Sequence, residues 1–114
     1  MVTREELAEQ FEQQVLDDYR TAKDLGYDAT VWIGMVGQYG AVDAAKRLIA
    51  QPGGELGFER LWELHRLDLS VEARMLRPEF APLFTPRELA KARATLKQYE
   101  YVAPWDTDAK RTAH

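Results

Sequence analysis

A chain of 114 residues, 46% hydrophobic and 30% charged, has the make-up of one globular domain and is long enough to bury a core unaided. It has no cysteine, which excludes disulfides, thiolate metal sites and thiol catalysis, and which fits a reducing compartment. A formal net charge of −4 argues against a general nucleic-acid binder, which shows a basic footprint.

The opening residues MVTREELAEQ contain no apolar signal region. No run approaches the ~20 apolar residues that a membrane-spanning helix needs. A cytoplasmic location and no membrane partner are therefore expected. The charge is uneven: residues 1–25 hold seven acidic and three basic side chains, residues 78–102 three acidic and four basic. A basic patch on an acidic protein remains compatible with that distribution.

Taken in order, Thr3-Arg4-Glu5-Glu6 matches a capping box, in which the Thr3 hydroxyl accepts the Glu6 N–H and the Glu6 carboxylate reaches back to the Thr3 N–H. Leu7, Phe11, Val15, Tyr19 and Ala22 follow at helical spacing, with Gly26 as terminator. Glu5, Glu9, Glu12, Asp17 and Asp18 form the expected acidic outer face, a solvated surface or a partner site. Adjacent Asp17 and Asp18 point about 100° apart on a helix and do not pair as metal ligands.

A turn at Tyr27–Thr30 leads to a second helix, capped by Asp28 or Thr30, with Val31, Trp32, Met35, Val36 and Tyr39 apolar. Gly34 and Gly37 inside it predict close approach of a neighbouring helix. Gly40 ends it. The next segment, GAVDAAKRLI, places Val42, Ala45, Leu48 and Ile49 on one face and Asp43, Lys46 and Arg47 on the other. It has the form of the short second helix of a helix-turn-helix. The loop from Gln51 to Gly57 that follows is too long for that motif, and Glu59 and Glu63 on the next helix would repel phosphates. The Pro52-Gly53-Gly54 segment lacks the flanking strand and the Gly-Lys-Ser/Thr ending of a phosphate loop.

Residues 57–76, GFERLWELHRLDLSVEARML, are the densest apolar stretch. Phe58, Leu61, Trp62 and His65 share one helical stripe, widened by Leu64. Leu67, Leu69 and Val71 then alternate with Asp68, Ser70 and Glu72, as a strand would. With no second strand to pair it, the expectation is a break and a new helix capped by Asp68 or Ser70, exposing Glu72 and burying Val71, Met75 and Leu76. Pro78 stops it. Arg60, His65, Arg66, Asp68 and Glu72 form the candidate binding surface. His titrates near neutral pH, and Arg can grip a carboxylate or phosphate through two parallel bonds. The competing reading is a half-buried His, a helix cap and a surface ion pair.

Phe80, Leu83 and Phe84 are expected to plug the core. Thr85-Pro86-Arg87-Glu88 combines a cap, Pro at the first helical position and Glu at the third. Leu89, Ala92, Leu96 and Tyr99 give that helix its apolar face; Arg87, Lys91, Arg93 and Lys97 make it basic outside, towards solvent, an acidic partner or an RNA backbone. Tyr99, Tyr101 and Trp105 cluster so as to fold back on the core.

Three segments carry a resemblance. GAVDAAKRLI, GFERLWELHRLDLSVE and EFAPLFTPRELAKAR, closed by Tyr99 and Tyr101, resemble a family of small uncharacterised bacterial helical proteins patterned GGVxAAKRLI, GFxRLWELxRLDLSVE, EFxxLFTxxELxxAR and YxY. Ala41 stands where the family's second Gly is common, and His65 where a small residue, often Gly, is usual. The resemblance spans roughly residues 27–101. It implies a helical domain and brings no activity, so no catalytic residue transfers.

The expected fold is all-α, a compact orthogonal bundle of about five helices over residues 1–102, with 103–114 as a polar tail. The single internal His, the absent Cys and carboxylates flanked by Arg66 and Arg74 supply no nucleophile–base pair and no metal shell. The expectation is a non-catalytic protein-interaction or accessory module without cofactor or metal, whose partner is another protein or a second copy. The alternative is a helix-turn-helix-like nucleic-acid-binding protein using Lys46 and Arg47 or Arg87 and Lys91.

Overall fold

The computed structural model describes residues 2–51 and 57–106. Most of the 51–57 loop and the tail beyond 106 lie outside that range. Six α-helices follow in order: α1 Arg4–Asp24, α2 Thr30–Tyr39, α3 Ala41–Ala50, α4 Phe58–Glu63, α5 Val71–Met75 and α6 Pro86–Gln98. Two 3₁₀ turns, Leu67–Leu69 and Ala81–Leu83, complete the fold, and no strand occurs among the described residues. The protein is all-α, as expected.

Helix starts follow the capping chemistry. Thr3 Oγ1 accepts the Glu6 N–H at 3.1 Å. In place of the reciprocal backbone bond, the Thr3 hydroxyl donates to the Glu6 carboxylate at 3.2 Å. At α6 the box is complete: Thr85 Oγ1 accepts the Glu88 N–H, and Glu88 Oε1 accepts the Thr85 N–H at 2.8 Å. α2 departs from expectation. Its cap is Ala29, with no side-chain bond, because Asp28 instead accepts the Tyr19 hydroxyl at 2.7 Å. α3 borrows its cap from α1: Glu12 Oε1 accepts the Ala41 N–H at 2.9 Å. Glu12 therefore acts inside the fold rather than on a free acidic face.

Three of the helix ends share one device. After α1, α4 and α6 the chain turns through a left-handed residue: Gly26 (φ 105°), His65 (φ 59°) and Glu100 (φ 57°). In each, the next residue's N–H reaches back five residues, from Tyr27 to Ala22, Arg66 to Leu61 and Tyr101 to Leu96, the Schellman pattern that satisfies stranded carbonyls. Only the first of the three uses glycine, the one residue free of a side-chain penalty there.

The core has two apolar clusters. In one, Phe11 sits edge-on to Phe80 and Phe84, ring centroids 5.4 and 5.3 Å apart, with Val36, Leu48, Ile49, Met75 and Ala92 around them. Phe80, Leu83 and Phe84 plug this end as expected. In the other, Phe58, Leu61, Leu67, Leu69, Leu76 and Leu96 gather, with Tyr99, Tyr101 and Trp105 packed against them. The folded part thus continues past the expected boundary at 102, since Ala103 and Asp106 are 1% and 3% exposed. Two other expectations fail. Trp62 is 49% exposed, resting against Tyr99 at 6.0 Å rather than entering the core. Among the described residues Gly34 and Gly37 meet no neighbour: a Cβ on either would find none of them within 4 Å. The glycine that does admit a close approach is Gly57, whose added Cβ would collide with the Tyr27 ring and hydroxyl.

Two predictions follow from the helix ends. A left-handed non-glycine residue costs about 1–2 kcal/mol, so His65→Gly and Glu100→Gly should each raise unfolding free energy by about 1 kcal/mol, additively, in urea titrations. Glu88 supplies the second. Burial works to raise its carboxyl, but the Lys46 hydrogen bond at 2.7 Å, the Thr85 bonds and the Lys46 charge outweigh it and hold the carboxyl below its ordinary value of 4.5. A depressed carboxyl contributes stability that is full above the unfolded value and lost as pH falls through the folded one. Glu88→Gln should cost about 1 kcal/mol at pH near 7, and the gap to the wild type should close as urea titrations are carried to more acidic pH.

Candidate functional site

The 3₁₀ turn and α5 carry the polar residues of the central stretch. Ser70 organises this segment. Its Oγ donates to the Leu67 carbonyl at 2.7 Å and accepts the Ala73 N–H at 3.2 Å, closing the turn and capping the helix together. One of the two expected caps, Ser70, is therefore the cap. The alternation at 67–71 arises from the turn, not from a strand. Val71, Met75 and Leu76 are buried as expected.

Glu72 does not share the surface of the other four expected residues. Arg60 and His65 are exposed, Arg66 and Asp68 are half-buried, and Glu72 is only 3% exposed. The exposure expected for Glu72 is thus corrected. α5 is so short and so enclosed that every residue from Val71 to Met75 is buried, and Glu72 faces inward with them. His65 leaves the stripe proposed for it because the left-handed turn after α4 carries it outward. Arg60 pairs with Glu63 one turn away at 3.3 Å. Arg66 grips Asp68 through two bonds, Nε–Oδ1 at 3.0 Å and Nη2–Oδ2 at 3.1 Å. The hydrogen bond to Asp68 raises the Arg66 guanidinium pKa further.

The strongest polar contact involves two residues outside that set. Arg74 on α5 holds Asp18 on α1 through Nε–Oδ2 at 2.6 Å and Nη2–Oδ1 at 2.9 Å, with Gln14 donating to the same carboxylate at 3.1 Å. Both side chains are over nine-tenths buried. Burial pushes the Asp18 carboxyl above its ordinary range, while the Arg74 bonds and charge and the Gln14 amide pull it part of the way back. The Arg74 guanidinium also lies 4.8 Å from the Trp105 ring, with Arg77 at 4.5 Å, and Trp105 Nε1 donates to the Ala73 carbonyl at 2.7 Å. Nearby, Arg93 holds buried Asp106 through bonds of 2.7 and 3.0 Å. Tyr101 completes this seam. Burial and the Asp68 charge raise its hydroxyl pKa, opposed by Arg74 and Arg66.

Asp18 was expected on the acidic outer face with Asp17. Only Asp17 is there, exposed and paired with Arg20 at 2.9 Å. The signal was present in the spacing: Phe11, Val15, Asp18 and Ala22 recur at four, three and four, and these are the residues that α1 buries.

Beside the seam a half-open pocket of about 40 Å³ separates α1 and α2 from α5, with Asp18, Tyr27, Trp32, Ser70 and Glu72 among its lining. That volume is enough for a few waters. Burial raises the Tyr27 hydroxyl pKa here. Ser70, the nearest hydroxyl nucleophile, is committed to its cap, and His65 faces solvent away from it. Among the described residues no three His, Asp or Glu side chains gather closely enough to hold a metal ion. No described helix is long and apolar enough to cross a membrane.

The loop that would be the turn of a helix-turn-helix lies mostly outside the described residues. α4 has six residues and carries Glu59 and Glu63 exposed where a recognition helix needs cations. The outer face of α6 does expose Arg87, Lys91 and Lys97. No family model matches this chain, and no curated protein or solved structure is similar to it at a significant level.

The two kinds of ion pair should separate cleanly on mutation. Removing one partner of a buried pair strands the other charge, so Arg74→Ala and Asp18→Ala should each cost about 3–5 kcal/mol in chemical denaturation. Arg66→Ala and Asp68→Ala, at a part-exposed pair, should cost no more than about 1 kcal/mol. Equal losses at both sites would contradict this assignment.

Proposed function

We propose that this chain is a non-catalytic interaction module. The observation that carries the reading is the employment of its polar motif. Arg66, Asp68, Ser70, Arg74 and Asp18 are each engaged with one another or with backbone, as parts of the frame. Catalysis needs a nucleophile beside a base, or convergent groups around a space that a substrate can fill. The motif supplies neither.

The surface available for a partner lies elsewhere, on α2. Its ten residues, TVWIGMVGQY, include no charged side chain, and Val36 alone is buried. Val31 is 60% exposed and Tyr39 37%. Trp32, Ile33 and Met35 pack partly buried against the core, so what α2 leaves to water is an uncharged strip of Thr30, Val31, Gly34, Gly37, Gln38 and Tyr39, which a partner can cover without desolvating a charge. Nucleic-acid binding is the weaker reading, because the acidic α1 accompanies the basic α6 and α4 cannot serve as a recognition helix.

The reading is tested by complementing a deletion strain and by proximity labelling with the tagged chain. His65→Ala combined with Asp68→Asn should leave the phenotype and the labelled partners unchanged, whereas Val31→Glu on α2 should abolish both. Turnover of a substrate that disappears with His65→Ala and Asp68→Asn would refute it, and so would retardation of DNA or RNA in a low-salt gel shift.

A further inference from the structure

We propose that the half-open pocket between α1, α2 and α5 is a binding site for a small organic ammonium compound, an amine with an apolar body. This goes beyond the interaction reading above and does not depend on it. The pocket lies where the two apolar clusters of the core meet. Val15 and Leu48 in its wall belong to the first cluster, Phe58 and Leu69 to the second. An empty cavity at such a seam is normally lined by apolar atoms alone. Here Asp18 and Glu72, only 6% and 3% exposed, bring two carboxylates to one small space. A mainly apolar pocket with a few convergent polar groups is the usual form of a small-molecule site.

The class of ligand follows from what the wall offers. Its charged groups are both acceptors, and among the described residues no Lys, Arg or His lines it. An anion would be repelled there. An ammonium group supplies the charge-assisted hydrogen bonds that carboxylates accept best. Asp18 is already gripped by Arg74 and Gln14, so Glu72 is the acid that receives the head. A carboxylate has about four acceptor positions, so the contacts Glu72 has within the chain leave room for more. A metal ion is a poorer fit, since among the described residues no three acids or histidines gather closely enough to hold one.

Three aromatic side chains, Tyr19, Tyr27 and Trp32, complete the wall, and aromatic rings attract cations. Each is held from outside the pocket. The Tyr19 hydroxyl donates to Asp28 at 2.7 Å. The Tyr27 ring occupies space that a side chain at Gly57 would take. Trp32 packs against the first cluster. The rings are therefore in place before a ligand arrives, which lowers the ordering cost of binding. Size agrees with this assignment. Room for a few waters is room for an ammonium head, which is about the size of one. The apolar body then leaves along Tyr19 and Trp32, both partly exposed.

Two-dimensional amide NMR on the full chain tests this. The probe is phenethylamine; phenethyl alcohol and hydrocinnamate are its neutral and anionic counterparts. Phenethylamine should shift the amides of Tyr27, Ser70 and Glu72 and the Trp32 indole N–H, with a dissociation constant of about 0.1–1 mM. The alcohol should bind about tenfold more weakly, because a hydrogen bond to a charged partner is lost. Hydrocinnamate should leave these signals in place. Glu72→Gln, which keeps the shape and removes the charge, should weaken the amine about tenfold and leave the alcohol unchanged. Trp32→Leu should weaken the amine about threefold. Glu9→Gln, on the outer face of α1, should bind like the wild type. A Glu72→Gln chain without the dispersed spectrum of a folded protein hands the decision to Trp32→Leu and to the three probes on the wild type. No saturable shift up to about 10 mM amine would overturn the proposal. So would an alcohol that binds as well as the amine, unchanged affinity in folded Glu72→Gln, or shifts confined to the acidic face of α1.

Discussion

The buried pair of Arg74 and Asp18 is the contact on which the rest of the arrangement depends. It joins residues 56 positions apart, on α5 and α1. Two charges removed from water gain little net stability even when well paired, because desolvation opposes their attraction. What such a pair supplies is intolerance of error. A slip of α5 along α1 would leave a guanidinium and a carboxylate buried and unmatched, at a cost of several kcal/mol. Purely apolar contacts between Val15 and Val71 would tolerate such a slip far better. The pair thus selects one register out of several that greasy packing alone would allow.

Its surroundings reinforce that choice. Trp105 lies against Arg74 and Arg77 and ties its indole N–H to the Ala73 carbonyl. Asp106, next in sequence, is held by Arg93 on α6. The chain after α6 is therefore held by three guanidinium contacts, from Arg74, Arg77 and Arg93. The left-handed turn at Glu100 is what aims the chain back across α5.

Legibility in the sequence divides along the same line. Contacts within about one helical turn could be read. The caps at Thr3, Ser70 and Thr85, the terminator Gly26 and the apolar face of α6 all came from short-range spacing, because capping and periodicity are local physics. The pairing of Asp18 with Arg74 could not be read, since a carboxylate on a helix looks solvated until its partner is placed across the core. Glu72 was misjudged for a related reason: a five-residue helix enclosed on all sides has no outer face for its acid. Trp62 and His65 were misplaced because the stripe assumed α4 would continue, and it stops at Glu63. Even so, Arg74 inside an otherwise apolar run from Val71 to Leu76, with Asp18 on the Phe11–Val15–Ala22 stripe, carried the hint that two charges were to be buried together.

The candidate site changes meaning in that light. Arg66, Asp68 and Arg74 look like recognition chemistry when met as a string, because bidentate guanidinium groups and carboxylates are what binding sites use. Here each guanidinium has found its carboxylate inside the same chain. A group already neutralised and bonded has little left to offer a ligand, since binding would first have to break what it has. The free energy of association must then come from surface that the fold leaves unspent. Among the long helices that surface is the outer side of α2, which carries no charge, while Trp32, Ile33, Met35 and Val36 on its inner side pack against the core. A chain that commits its polar residues to register and leaves the uncharged side of one helix open has separated the problem of folding from the problem of meeting a partner. The two can then vary independently, because a change at Gly34 touches nothing that Asp18 or Arg74 holds in place.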